Sequence, residues 1–214
     1  MDSSVRGVYG ERVDPGTYQL GPAAGRVAIR TSRAGLAARA GHDLLIEVTR
    51  WSATVSVPAS GSPVVSAELD MESLTVREGT GGARPLTGSD RTDIEKTMRG
   101  ILGSGSATFT STRVIRAPST GGAIEGDATY RGRTVPVRLQ VAEPAPGRYR
   151  GSAPLPQTAF GITPYSGFFG ALKLRDEVTV EFEVDLSRAT SSSNSPNSPN
   201  DTASPPADPP RPPG

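Results

Sequence analysis

Apolar and polar residues alternate along most of this chain. Over residues 123–141, Ile124, Gly126, Ala128 and Tyr130 alternate with polar neighbours. After Arg131-Gly132-Arg133 the same holds for Val135, Val137, Leu139 and Val141. A period of two with glycine at the bend predicts a β-hairpin with one dry and one wet face. The last such stretch sets Val178, Val180, Phe182, Val184 and Leu186 against Thr179, Glu181, Glu183 and Asp185, which is the pattern of an antiparallel sheet. Further strands are predicted at 17–20, 27–29, 65–71, 107–115 and 149–155. The longest run, 44–57, changes parity: Leu44, Ile46 and Val48 are even, whereas Trp51, Ala53, Val55 and Val57 are odd. A bulge or bend at Thr49-Arg50 would keep both halves facing inward.

One stretch has a helical period instead. Ile94, Met98, Ile101 and Leu102 fall on one stripe of a helix predicted over 90–102, capped by Ser89 or Asp90 and stopped at Gly103. Residues 77–86 read as a glycine-rich loop, and 35–41 as a loop or a single helical turn. Residues 1–14 form an irregular lead-in and 15–188 a single β domain. Residues 189–214 hold no apolar side chain larger than alanine, which predicts a disordered Pro/Ser-rich tail. The fold class expected is all-β: about eight antiparallel strands closed into a barrel, one amphipathic α-helix, and that tail.

Composition narrows the chemistry. Among 214 residues there are no cysteines and one histidine, so disulfides and cysteine-ligated metals are excluded and a zinc site is not expected. The net charge of +1 implies no broad attraction to nucleic acid. Lysine occurs only at Lys96 and Lys173; the other cations are arginines. No apolar run reaches the roughly 20 residues of a membrane span. The first residues carry no apolar signal segment, so a cytoplasmic location is expected. The glycine clusters at 79–82 and 121–122 lack the pattern of a phosphate-binding loop.

Catalytic candidates are sparse. His42 could contact a ligand head group, serve as a base oriented by Asp43, or be a structural histidine. Neighbouring strand residues point to opposite faces, which disfavours the pair with Asp43. No nucleophile-elbow motif accompanies it, so no catalytic constellation is assigned. The acidic residues Asp90, Asp93 and Glu95 suit the helix dipole. Residues 158–174 are unusually apolar for a connection, with Phe160, Ile162, Tyr165, Phe168, Phe169 and Leu172 among Gly and Pro. They read as a lid or an apolar gate at a barrel mouth.

These elements together resemble the YceI-like family of lipocalin-like, polyisoprenoid-associated proteins. The resemblance runs from about Gly16 to Leu186. It rests on Gly16-Thr17-Tyr18, the sequence AELDMESL from Ala67, Asp90-Arg91-Thr92-Asp93, and Ala107-Thr108-Phe109. Gly126, Gly132-Arg133-Thr134-Val135-Pro136-Val137, Phe160-Gly161-Ile162 and Val178-Thr179-Val180 continue it. Two departures stand out: Ala23-Ala24-Gly25 replaces a His-Ser pair, and Gln157-Thr158-Ala159 replaces an arginine-led triplet before Phe-Gly-Ile.

The resemblance implies an eight-stranded lipocalin-like barrel enclosing an apolar tunnel for a polyisoprenoid, isoprenoid-quinone or fatty-acid-like chain, with no bound cofactor beyond such a ligand. Expected inward residues are Ile29, Ile46, Trp51, Phe109, Val137, Leu139 and Phe182. His42 and Tyr165 supply polar tips, and Phe160, Phe168 and Phe169 gate the mouth. Partners expected are an apolar small molecule and no nucleic acid, with a homodimer as a candidate assembly. Two rival readings are an enzyme using His42 as base in the same cavity, and a filled barrel acting as a protein-interaction domain.

Overall fold

The computed structural model describes residues 13–116 and 121–192. In chain order its elements are β1 (Gly16–Leu20), β2 (Gly25–Arg30), β3 (Arg33–Ala34), β4 (Asp43–Val48), β5 (Trp51–Val57), β6 (Val64–Asp70) and β7 (Leu74–Thr80). Then come α1 (Gly88–Leu102), β8 (Ser106–Arg116), β9 (Gly121–Tyr130), β10 (Arg133–Ala145) and β11 (Arg148–Pro156). The chain ends with β12 (Ser166–Gly167), β13 (Leu172–Leu174), β14 (Glu177–Asp185) and β15 (Thr190–Ser192). Twelve strands make one antiparallel sheet in the order β15-β1-β5-β6-β8-β9-β10-β11-β14-β2-β4-β7. A small sheet, β12-β13-β3, lies apart.

Eight strands were expected and twelve form in the main sheet, because four long runs break at corners. β1 pairs with β5 while β2 pairs with β4. In the same way β5 pairs with β6 and β4 with β7. At the other flank β15 pairs with β1 and β14 with β2. Each of β1/β2, β4/β5, β6/β7 and β14/β15 is therefore one run continued around a bend. Both ends of the ladder fold back beside its middle, and the sheet curls around a central space. At the β4/β5 corner the backbone bonds sideways: Thr49 N–H donates to Ser73 O (3.2 Å), Arg50 N–H to Ser73 Oγ (2.9 Å) and Asp70 N–H to Arg50 O (3.0 Å). This is the bend that the parity change predicted. Val48, fully buried at 0% exposure, packs beneath it with Leu74 and Val76.

The β9–β10 hairpin turns through Arg131 and Gly132, both in the left-handed region (φ 51° and 72°), a two-residue connection matched to the twist of the strands. On the wet side of β14, arginines answer the acids. Arg30 meets Glu181 at 2.7 Å, Arg26 meets Glu183 at 3.1 Å and Arg148 meets Asp185 at 3.2 Å. These exposed pairs fix register more than they add stability.

Three boundaries depart from expectation. Residues 77–80, expected as loop, belong to β7, because the β4 edge supplies their partners. The helix begins at Gly88 and its cap is Thr87, not Ser89 or Asp90. Thr87 Oγ1 accepts from Asp90 N–H (3.2 Å) while Asp90 accepts from Thr87 N–H (2.9 Å), a reciprocal capping box. The expected tail starts late: β15 pairs with β1 through residue 192. Residues 193–214 and 1–12, the rest of the expected tail and most of the lead-in, lie outside the described residues. No helix among the described residues is long and apolar enough to cross a membrane.

Candidate functional site

The dry face of the sheet encloses a cavity of about 1510 Å³. Residues inward on the strand period line it: Leu44 and Ile46 from β4, Trp51, Ala53 and Val55 from β5, and Val178, Val180, Phe182 and Val184 from β14. Many of these are only half-buried, including Ile29, Ala53, Val55, Leu69, Phe109, Leu139, Val180 and Phe182. An inward apolar side chain that stays partly accessible faces open space on that side, not another side chain. The interior is hollow at these positions. On β10 the lining runs from Val137 to Glu143, about 20 Å of strand at roughly 3.3 Å per residue.

Two features keep the bore open. The first is a set of alanines, Ala53, Ala67, Ala107, Ala128 and Ala153, whose short side chains line the cavity at inward strand positions. The second is how two aromatics lie. A Cβ added at Gly126 would fall 2.6 Å from Phe109 Cζ, and one at Gly151 would fall 2.5 Å from Phe182 Cε1. Phe182 lies over the bare Cα of its register partner Gly151, and Phe109 over that of Gly126, its diagonal neighbour across the β8–β9 pair.

Helix α1 closes one side, bringing Ile94, Met98, Ile101 and Leu102 to the cavity. It is pinned at both ends. Arg84 donates two bonds to Asp90 (2.7 and 2.8 Å), and Tyr130 Oη donates to Leu102 O (2.9 Å). The Arg84 guanidinium, aided by Thr87, holds the Asp90 carboxyl well below the usual carboxylate range, and burial raises the Tyr130 phenol. Along the helix, Val76 N–H donates to Glu95 Oε1 (2.9 Å) and Arg91 donates to the carbonyls of Val76 and Arg77.

Polar groups gather near this end. His42 lines the cavity, and its Nε2 donates to Arg84 O at 2.8 Å. A carbonyl only accepts, so Nε2 carries the hydrogen of this bond. Asp43 does not orient the ring; its Oδ1 accepts from Arg33 N–H at 2.7 Å. Arg33 Nη1 donates to Gly41 O (2.8 Å) and Thr80 O (3.0 Å). The charged side chains of the lining are Arg33 and Arg84 against Asp90, Asp93 and Glu143. The formal balance of the lining is −1. Among the described residues no group of three or more His, Cys, Asp or Glu could hold a metal ion.

Ten of the residues singled out from the sequence line this one cavity: Ile29, His42, Ile46, Trp51, Phe109, Val137, Leu139, Phe160, Tyr165 and Phe182. Phe169 does not. It is fully exposed (113%), turned outward by a left-handed backbone (φ 54°) in the connection between β12 and β13. The side chain of Phe168 lies outside the described residues. The 158–174 connection is also more regular than expected. It folds into β12 and β13, and Leu174 pairs back with Arg33 of β3. The alanines and the two glycines were missed as bore-setting residues. Their signal was available: each falls at an inward position of a strand whose other inward residues are larger and apolar or aromatic.

The family model described as the YceI-like domain matches residues 18–186. Among solved structures, Burkholderia cenocepacia BcnA is similar in fold, with a TM-score of 0.51 at 18% identity, covering 75% of this chain and 94% of that one. A comparison with curated proteins gives no match.

Proposed function

Because the chain belongs to the YceI-like family, we propose that it binds or carries a long apolar molecule inside the curled sheet: a polyisoprenoid, an isoprenoid quinone or a fatty-acid-like chain. The observation that carries this reading is the hollow lining, about 1510 Å³ walled by half-buried inward Val, Leu, Ile and Phe. Ligand pockets ordinarily measure about 300–1,000 Å³, so this one suits a chain longer than a drug-sized molecule. Each methylene withdrawn from water contributes about 0.8 kcal/mol, so a long chain needs few polar contacts. The lining's charge balance of −1 favours an uncharged head, as in an isoprenoid alcohol or a quinone, over a free carboxylate.

Binding is favoured over catalysis. His42 Nε2 is taken up by Arg84 O, and Asp43 is engaged by Arg33 N–H and not by the ring. Replacing His42→Ala should leave most of the affinity intact, whereas loss of a turnover would revive the enzyme reading. The direct test is native mass spectrometry of protein purified from its own host, followed by organic extraction. A stoichiometric isoprenoid or quinone adduct is expected. A clean apo mass, with no thermal shift on adding a long isoprenoid alcohol, would overturn the reading in favour of a filled interaction domain.

A further inference from the structure

Two of the three large hydrophobic residues that stand exposed among the described residues share one spot. Leu36 (101%) and Phe169 (113%) sit on two loops that meet at Ala171. Ala37 N–H donates to Ala171 O at 2.9 Å, and Gly35 passes so close that an added Cβ would stand 2.3 Å from the same oxygen. The loops are thus tied together, and neither apolar side chain is covered. Phe169 also holds a left-handed backbone (φ 54°, ψ 33°) that a bulky residue rarely adopts. Such outliers cluster at ligand clamps and switch regions.

The surroundings are basic. Arg39 lies on the turn after Leu36, Lys173 on β13, and Arg175 just beyond it, all exposed. None of the three makes an ion pair among the described residues. Of the carboxylates beside them, Asp43 accepts from Arg33 N–H and Asp176 accepts from Thr158 N–H (2.8 Å) and Oγ1 (2.6 Å), while Glu177 stands exposed at the start of β14. The inner side of the same elements is cavity wall, since Ala40, Gly41, Tyr165, Leu172 and Leu174 all line it.

An uncovered aliphatic–aromatic pair ringed by free cations has the chemistry of an interfacial membrane anchor, apolar tips for the acyl boundary and cations for head-group phosphates. We propose that this end of the molecule docks on an anionic lipid bilayer through Leu36 and Phe169, steered by Arg39, Lys173 and Arg175. The docking stands on the patch itself. Its use, setting the cavity wall against the membrane where apolar chains reside, rests on the carrier reading above.

Flotation of the full chain with phosphatidylcholine vesicles, with and without phosphatidylglycerol, tests the docking without any cavity ligand. Binding is expected with phosphatidylglycerol present and should fall as salt rises. The double variant Leu36→Ser/Phe169→Gly should bind at least about tenfold more weakly. Glycine suits φ 54°, so Phe169→Gly alone should melt at the same or a higher temperature, separating the anchor from the fold. Arg39→Glu/Lys173→Glu should abolish the preference for the anionic lipid. No vesicle binding by the unmodified chain, or equal binding by the double variant, would overturn the proposal. So would capture of a protein by the patch with vesicles ignored. Docking without an extracted ligand would leave the anchor standing and sink the carrier reading instead.

Discussion

Replacing Ala67→Leu separates a hollow interior from a packed one. Ala67 lines the cavity, half-buried, between Ala53 on β5 and Phe109 on β8 in the register. Leucine adds three carbons to the lumen. If the space is for a chain, those carbons displace about three methylenes of ligand contact. At about 0.8 kcal/mol each, that is about 2.4 kcal/mol, or roughly sixty-fold in affinity. The ligand-free protein loses nothing, because the new side chain fills space and covers Ala53 and Phe109. Cavity filling of this kind commonly stabilises by about 0.5–2 kcal/mol, which moves the melting temperature up by roughly 2–4 °C per kcal/mol in a chain of this size. Trp51, the single tryptophan, lines the same cavity and reports binding of a long isoprenoid alcohol by its emission. Affinity and stability should move in opposite directions. A filled barrel would respond otherwise: overpacking costs about 1–3 kcal/mol, the delipidated variant would melt earlier, and the argument from half-buried residues would be refuted.

Other perturbations follow from the same geometry. Thr87→Ala removes the helix cap and should cost about 1 kcal/mol in urea denaturation; no change would mean that the reciprocal bonds with Asp90 contribute nothing. Gly151→Ala sets a Cβ where Phe182 lies, so the ring should swing into the lumen and weaken isoprenoid binding, seen in the ring's NMR shifts and in the titration. Asp70, Asp90, Asp176 and Asp185 all titrate below the ordinary 3.8, chiefly through side-chain bonds to Arg50, Arg84, Thr158 and Ser187 respectively. Groups depressed in the folded state stabilise it above their unfolded value and lose that contribution as pH falls through the folded one. Melting temperature should therefore be nearly level from neutral pH to about 5 and drop below about 4; a midpoint unchanged at pH 3 would contradict the assignments.

What could be read from the sequence was what repeats locally. The alternation in β14 and the parity change between Val48 and Trp51 each specify a face, and every inward residue named from them in β14 meets the cavity. What could not be read depends on partners far along the chain. β7 offers only Leu74 and Val76 before Arg77-Glu78-Gly79-Thr80, and it is a strand because β4 lies beside it. β13 exists because β3, more than a hundred residues away, lies beside it, and β12 pairs in turn with β13. Thr87 is a different kind of omission. Thr-x-x-Asp before an apolar stripe is a local signature of a helix start, and it lay two residues ahead of the cap chosen. Phe169 shows the limit of composition, since an aromatic in an apolar loop says nothing about which way its backbone turns.

The corner at Thr49 and Arg50 also constrains how this chain can change. Side chains swap faces at every residue, so the wall there obeys a count. Deleting one residue between Val48 and Trp51 would turn Ser52, Thr54 and Ser56 to the lumen and expel Trp51, Ala53 and Val55. Two residues could be gained or lost together with the faces preserved, but the sideways bonds to Ser73 would then have no partner in place. Drift in length is thus barred from the corners and left to the hairpin tips, such as 58–62, where no residue lines the cavity. Across relatives that keep this wall, the spacing from Val48 to Trp51 should vary less than the residues that occupy it.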